Sequence, residues 1–346
     1  MANSTMVTEF LLMGFAEVLE LRVLHALLFL LMYLATLLGN LLIISATTLD
    51  QNLHTPMYFF LRNLSILDMC YVSVTVPNAC VNSLTDNRTI SVTGCAAQTF
   101  FVVLFATSEL LFLTIMARDR YVAICQPLRY PVIMNHQFCV WTTLVSLLSG
   151  LIYAGLHTGN TFRLSFCQSN VVHQFFCDIP SLLSLSCSDT FSNELLILIS
   201  AMGVGGGCFI FIAMSYLHIF SAVLKFPTRE RGKAFSTCVP HLLVFSVFLG
   251  SGSCVYLRPS GASDTVLDMI LSVFYTIVPP FLNPIIYSLR NKQVKGALKK
   301  VVLRMTYRAE YQRNELSMRR DLEICRFLCS FPQCVLCTLE ETTQSK

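Results

Sequence analysis

"VLHALLFLLMYLATLLGNLLIISA", residues 23–46, contains no Asp, Glu, Lys or Arg anywhere along its length. A helix rises about 1.5 Å per residue, so about 20 apolar residues cross the roughly 30 Å hydrocarbon layer of a bilayer. The stretch therefore reads as a membrane-spanning helix. The rest of the chain agrees. Its 346 residues are 54% hydrophobic and 13% charged, whereas soluble proteins carry about 25% charged residues. Too few charges remain to cover a soluble surface. Six further apolar runs follow, and with the first they place seven spans near 23–48, 57–80, 95–118, 139–159, 193–220, 235–257 and 267–289. The expected fold class is an all-α membrane protein, a seven-helix transmembrane bundle. Residues 1–22 precede it as an extracellular tail, and 23–289 make the bundle. The N-terminal residues lack the basic region of a cleavable signal peptide, so the first span is expected to act as a signal anchor.

Charge sets the expected orientation. Glu9, Glu17 and Glu20 outnumber Arg22 ahead of the first span. Arg120 and Arg129 follow the third, Lys225, Arg229, Arg231 and Lys233 separate the fifth from the sixth, and Arg290, Lys292, Lys295, Lys299, Lys300 and Arg304 follow the seventh. Lys and Arg excess marks the cytoplasmic side, so the N-terminus is expected outside and the C-terminus inside, in a multi-pass plasma-membrane protein. The net charge of +4 then belongs to loops beside anionic lipid rather than to a nucleic-acid surface.

The cysteines sort by side. Cys95, Cys167, Cys177 and Cys187 fall outside, where disulfides form, and four thiols allow three pairings. A bridge from Cys95 to the loop between spans four and five would clamp that loop over the bundle. Two glycosylation sequons, at Asn3 and Asn87, also fall outside, and Asn3 on the free tail is the expected acceptor. Beyond span seven, "RNKQVKGALKKVVLR" (290–304) places Val294, Leu298 and Val301 at helical spacing between lysines. This is the pattern of a short amphipathic helix on the inner leaflet. Residues 305–346 are expected to be a disordered cytoplasmic tail. In it, Cys325, Cys329, Cys334 and Cys337 offer a zinc-like spacing or palmitoylation sites, although a tail without either role is the plainer expectation.

Two carboxylic acids, Asp68 and Glu109, fall in mid-span, where a charge costs roughly 3 kcal/mol on insertion scales unless it is partnered. Brought together they share a proton, hydrogen-bond each other or hold a cation such as sodium. A transporter uses such groups too, but the chain lacks the internal repeat of that architecture. No phosphate loop, zinc-protease motif or catalytic triad points to an enzyme. His173 and Asp178, near Cys177 in the outer loop, offer donors for a metal ion, but a structural role is expected for them.

"MARDRYVAIC" (116–125) sets Arg118, Asp119 and Arg120 at the inner end of span three. There Asp119 is expected to hold Arg120 by a local ion pair until a partner draws it away. Taken with Gly39-Asn40, "LHTPMYFFLRNLS" (53–65), "MARDRYVAICQPLRY" (116–130), Ser215-Tyr216, "KAFSTC" (233–238) with His241, and "PFLNPIIYSLRNK" (280–292), it resembles an olfactory receptor of the rhodopsin-like G-protein-coupled family, tetrapod type. The likeness runs from about residue 5 to 304. Departures from that pattern are Arg118 in place of Tyr, Arg62 in place of a small polar residue, Pro240 in place of Ser, Leu249 in place of Tyr and the long tail.

The resemblance implies a ligand pocket in the outer half of the bundle, lined by Val102, Val103, Ala106, Thr107, Ser200, Val204, Leu249, Gly252, Tyr256 and Thr276. Such an apolar lining with few polar groups suits a small volatile molecule. It also implies a switch made of Asp119, Arg120, Tyr216, His241, Asn283, Pro284 and Tyr287, with Asn40 and Asn283 as neighbours of the two carboxylates. The implied partners are an odorant and a stimulatory, cyclic-AMP-raising G protein of the olfactory type.

Overall fold

A computed structural model describes residues 7–14, 18–85, 88–166, 170–256, 265–290 and 292–329. Seven helices are long and apolar enough to cross a membrane. They are α1 (Leu19–Leu49), α2 (Pro56–Thr85), α3 (Val92–Cys125), α4 (His136–Thr161), α5 (Phe191–Val223), α6 (Thr228–Tyr256) and α7 (Thr265–Arg290). The expected spans fall inside these helices, apart from residue 257, which lies outside the described residues. The helices run further because polar caps extend them past the apolar runs. Ser91 accepts from the Gly94 amide at the start of α3, and Asn135 accepts from the Phe138 amide at the start of α4, each satisfying an amide left open at a helix start.

Within the unit 1–295, α3 packs against α2, α4, α5 and α6, and α7 against α1, α2 and α6. The sorting of side chains is that of a membrane protein. Leu24, Leu27, Leu31, Leu34 and Leu38 of α1 are exposed on one face, whereas Asn40, Asp68, Glu109, Asp119 and His241 are buried. Lipid accepts the first set, and only internal partners can satisfy the second. Gly150 lets α4 approach α3, since a Cβ there would stand 2.6 Å from the Ser108 hydroxyl.

A small sheet adds to the expected all-helical picture. Strand β1 (Glu9–Leu12) pairs antiparallel with β2 (Thr89–Ser91) and parallel with β3 (Val171–Val172), in the order β2-β1-β3. Alternation buries Phe10 and Leu12 against Cys95, Val172, Cys177 and Leu182, as a strand with one inward face does. The N-terminal segment thus lies across the end of the bundle that carries Cys95.

The second unit is Gly296–Lys346. Helix α8 (Lys292–Cys329) runs through Arg304, where the amphipathic segment was expected to end. The cause is local: "MTYRAEYQRNELSMRRDLEIC" (305–325) has neither Gly nor Pro and is rich in strong helix formers. Glu315 and Arg319 pair along it at 2.9 Å. Cys334 and Cys337 lie outside the described residues.

Candidate functional site

Three helices meet at one buried amide. Asn283 Nδ2 donates to Asp68 Oδ1 and Oδ2 at 3.1 and 3.0 Å and to Glu109 Oε1 at 3.3 Å. All three residues are buried, so α2, α3 and α7 are tied through one neutral group shared by two carboxyls. Asn40 takes a different place from the one the resemblance implied. Pro284 has no N–H, which leaves the Pro280 carbonyl four residues earlier without its helical donor. Asn40 Nδ2 supplies it at 3.1 Å from α1. Its neighbour Gly39 allows that approach, because a Cβ there would meet the Pro284 ring at 3.0 Å. The pair Gly39-Asn40 thus serves the gap that Pro284 leaves in the α7 hydrogen-bond ladder and does not bond the carboxyls.

The three charges of "MARDRY" separate. The chain end of α3 lies at Cys125, so all three sit within the helix. Asp119 is buried and accepts from the Tyr130 hydroxyl at 2.8 Å. Burial, then the Asp119 carboxylate, pushes the Tyr130 phenol upward. The expected Asp119–Arg120 ion pair is absent among the described residues; Tyr130, from the turn after α3, takes that carboxylate. Arg118 is exposed and lies over the Phe138 ring of α4, 5.2 Å from its centroid. Arg120 is half-buried and lies within electrostatic reach of Tyr216, Cys238, His241 and Tyr287. It brings the expected switch residues of α5, α6 and α7 to one centre.

His241 ties that centre together. Its Nε2 lies 2.8 Å from the Leu113 carbonyl, and its Nδ1 lies 2.9 Å from the Tyr216 hydroxyl. A carbonyl only accepts, so Nε2 carries the hydrogen and Nδ1 accepts from Tyr216. One neutral imidazole thereby links α3, α6 and α5. The α5–α6 seam continues in ring stacking of Phe220 on Phe235 and of Phe209 on Phe245. The Tyr287 hydroxyl is buried and has no hydrogen-bond partner among the described residues.

At the other end the sheet and a disulfide organise the mouth. Cys95 is bonded to Cys177, one of the three pairings left open by the sequence. Cys187 is also disulfide-bonded, while Cys167 lies outside the described residues, as do Asn3 and Asn87. The bridge sets Phe175 and Phe176 into the bundle, where they pack with Tyr71, Val102 and Tyr275. Gln98 locks this arrangement, its Oε1 accepting from the Cys177 amide and its Nε2 donating to the Val74 carbonyl. A small cavity of about 10 Å³ remains between the strand end and α1 and α2.

The expected pocket residues divide accordingly. Val102 and Ala106 face the cluster roofed by Phe176. Val103 faces α4, against Ala154 and Leu183. Thr276 is fully buried and its hydroxyl donates to the Ser272 carbonyl at 2.6 Å. Thr107, Val204, Leu249 and Gly252 are half-buried, and the side chain of Tyr256 lies outside the described residues. Val204 sits in a π turn, Ala201–Gly205, inside α5, a feature frequent at functional sites. Ser200 turns toward α4: it accepts from the Tyr153 hydroxyl at 3.0 Å, donates to the Ile197 carbonyl at 3.0 Å and lies 3.1 Å from His157 Nε2. A ligand would have to displace one of these. Sequence reasoning missed this Tyr153–His157–Ser200 cluster and the roof of Phe175 and Phe176. The available signal for the roof was an aromatic pair next to a cysteine. Among the described residues no group of three or more His, Cys, Asp or Glu is placed to hold a metal.

Comparison with known proteins matches residues 29–305 to the olfactory receptor family. Human olfactory receptor 14C36 is 66% identical over 308 residues, covering 89% of this chain and 99% of that protein. Human olfactory receptor 14A16 is 53% identical over 86% of this chain and 96% of its own length. Human olfactory receptor 14I1 is 52% identical over 89% and 99%.

Proposed function

Because the chain belongs to the olfactory receptor family, we propose that it binds a small, mainly apolar volatile molecule in the half of the bundle beneath Phe176. In this reading it then activates a stimulatory olfactory-type G protein at the Arg120 end, raising cyclic AMP. The N-terminus is outside and the C-terminus inside, as the excess of Lys and Arg in the loops at the Arg120 end supports. The observation that carries the mechanism is the His241 link between α3, α5 and α6. It holds the inner helix ends together at rest. Ligand contacts with Val102, Ala106, Thr107, Val204, Leu249, Gly252 and Tyr256 favour an arrangement in which those ends part, and the G protein traps it. The oxygens around Asn283 suit a hard monovalent cation such as sodium, since two carboxyls share one neutral donor. Asp68 and Glu109 would hold it and release it as α7 moves.

The test is cyclic AMP in cells expressing this chain with the olfactory stimulatory G protein, across a chemically diverse odorant panel. Dose-dependent rises are expected for neutral odorants of low polarity. For a responding odorant with one hydrogen-bonding group, Thr107→Val should raise the half-maximal concentration about fivefold, the worth of one neutral hydrogen bond. Responses restricted to charged amines or acids would overturn the ligand assignment.

A second outcome follows from the His241 link. His241→Phe keeps a ring of similar size and removes both hydrogen bonds, together worth about 2 kcal/mol. The active population should rise roughly tenfold or more, read as basal cyclic AMP at matched surface density. An unchanged or lowered basal signal would contradict this role.

A further inference from the structure

Arg62 and Arg118 depart from the family pattern, and the proposed mechanism uses neither. Both lie beside the first turn of α4 or the cavity it borders. That cavity, at the Arg120 end, has a volume of about 390 Å³ and is walled by the α1–α2 connection, the start of α2 and the start of α4. Its size falls within the roughly 300–1,000 Å³ of small-molecule sites. Arg62, His54 and His136 supply its basic side chains, and Leu53, Phe59 and Met134 its apolar ones.

The charges that line it have one sign. Arg62 is held with its guanidinium 5.6 Å from the Phe59 ring centroid, so the permanent charge sits against an apolar wall. Arg118, over Phe138, adds a second permanent charge near the α4 first turn. Both α2 and α4 begin at this cavity, with Pro56 and His136 as their first residues, and helix starts carry partial positive charge. No Asp or Glu lines it. The nearest acids in these segments are engaged elsewhere: Asp50 accepts from Asn52, and Asp119 accepts from Tyr130.

A cavity lined by a permanent cation, with a second one near its α4 edge, helix starts and an adjoining apolar wall suits an amphiphile with an anionic head. We propose that it binds the phosphate-bearing headgroup of an anionic membrane lipid, with Arg62 as the principal contact and Leu53, Phe59 and Met134 receiving the first part of the acyl chains. A free phosphate ion shares the headgroup chemistry but has no use for the apolar wall.

The full chain in nanodiscs of phosphatidylcholine, with and without added phosphatidylinositol phosphate, would be released into a native mass spectrometer and its lipid adducts counted. Phosphatidylinositol phosphate adducts are expected on the wild-type chain, and Arg62→Gln should reduce them roughly tenfold, as loss of a charge-assisted contact to phosphate does. Arg129→Gln, an exposed arginine at the same end and outside the cavity, should leave them unchanged. His136→Gln provides a milder second variant, expected to weaken binding if Arg62→Gln fails to fold. Equal losses in Arg62→Gln and Arg129→Gln, or no preference over phosphatidylcholine, would overturn the site. Displacement of the lipid by inorganic phosphate alone would overturn the lipid assignment.

Discussion

Arg120→Ala is expected to bring the odorant-evoked cyclic AMP response down to the level of untransfected cells, while surface density and thermal midpoint stay at wild-type values. Its side chain makes no hydrogen bond or ion pair with any described residue, and Asp119 keeps its own partner in Tyr130. Removing the guanidinium takes away a positive charge near the buried Asp119 carboxylate, but Tyr130 still donates to that carboxylate, so the stability cost should stay at about 1 kcal/mol. The functional cost is of another kind. A guanidinium offers five N–H donors, and none is claimed by a described residue. The guanidinium lies within electrostatic reach of Tyr216, His241 and Tyr287, which come from three helices, and a partner that enters as those helices part would meet it there. A response that survives in Arg120→Ala at matched surface density would sink this assignment. An equal fall in surface density would show instead that Arg120 supports folding.

The spans were legible because a membrane demands long apolar runs, and each run is read from neighbouring residues alone. The polar core was legible in part: Asp68 and Glu109 stand out against their surroundings, but that one amide reaches both is set by the rotation of α2, α3 and α7. A proline at 284 tells from the sequence alone that the Pro280 carbonyl loses its helical donor, whereas the Asn40 side chain that satisfies that carbonyl comes from the far end of the chain. Strand β1 was illegible for a related reason. Four residues with two inward side chains carry too short an alternation, and both partner strands are distant in sequence. Asp119 pairing with Tyr130 rather than Arg120 depends on the turn after α3. Helix α8 was underestimated because its apolar periodicity fades after Arg304, although its helix-forming composition does not.

Asn283→Leu is expected to remove most of the receptor from the cell surface. The leucine has similar bulk, so the loss is not one of volume but of the single donor that three carboxyl oxygens share at 3.0 to 3.3 Å. Asp68 and Glu109 are buried, and neither gains access to water by the change. Leaving buried, potentially charged acceptors unsatisfied costs about 3 kcal/mol, against a total stability of roughly 5 to 15 kcal/mol. The damage should be reversible by chemistry rather than by volume. Adding Glu109→Gln to Asn283→Leu places a new amide beside Asp68, on the same side of α3, and should restore a substantial part of the surface signal. Glu109→Ala in the same background supplies no donor and should not. Flow cytometry of an N-terminally tagged receptor, with a thermal shift in detergent, reads both effects. If Asn283→Leu keeps wild-type density and midpoint, the shared amide is not what holds α2, α3 and α7 together. Equal recovery with glutamine and alanine would mean that repulsion between the carboxyls, rather than the missing donor, governs the site.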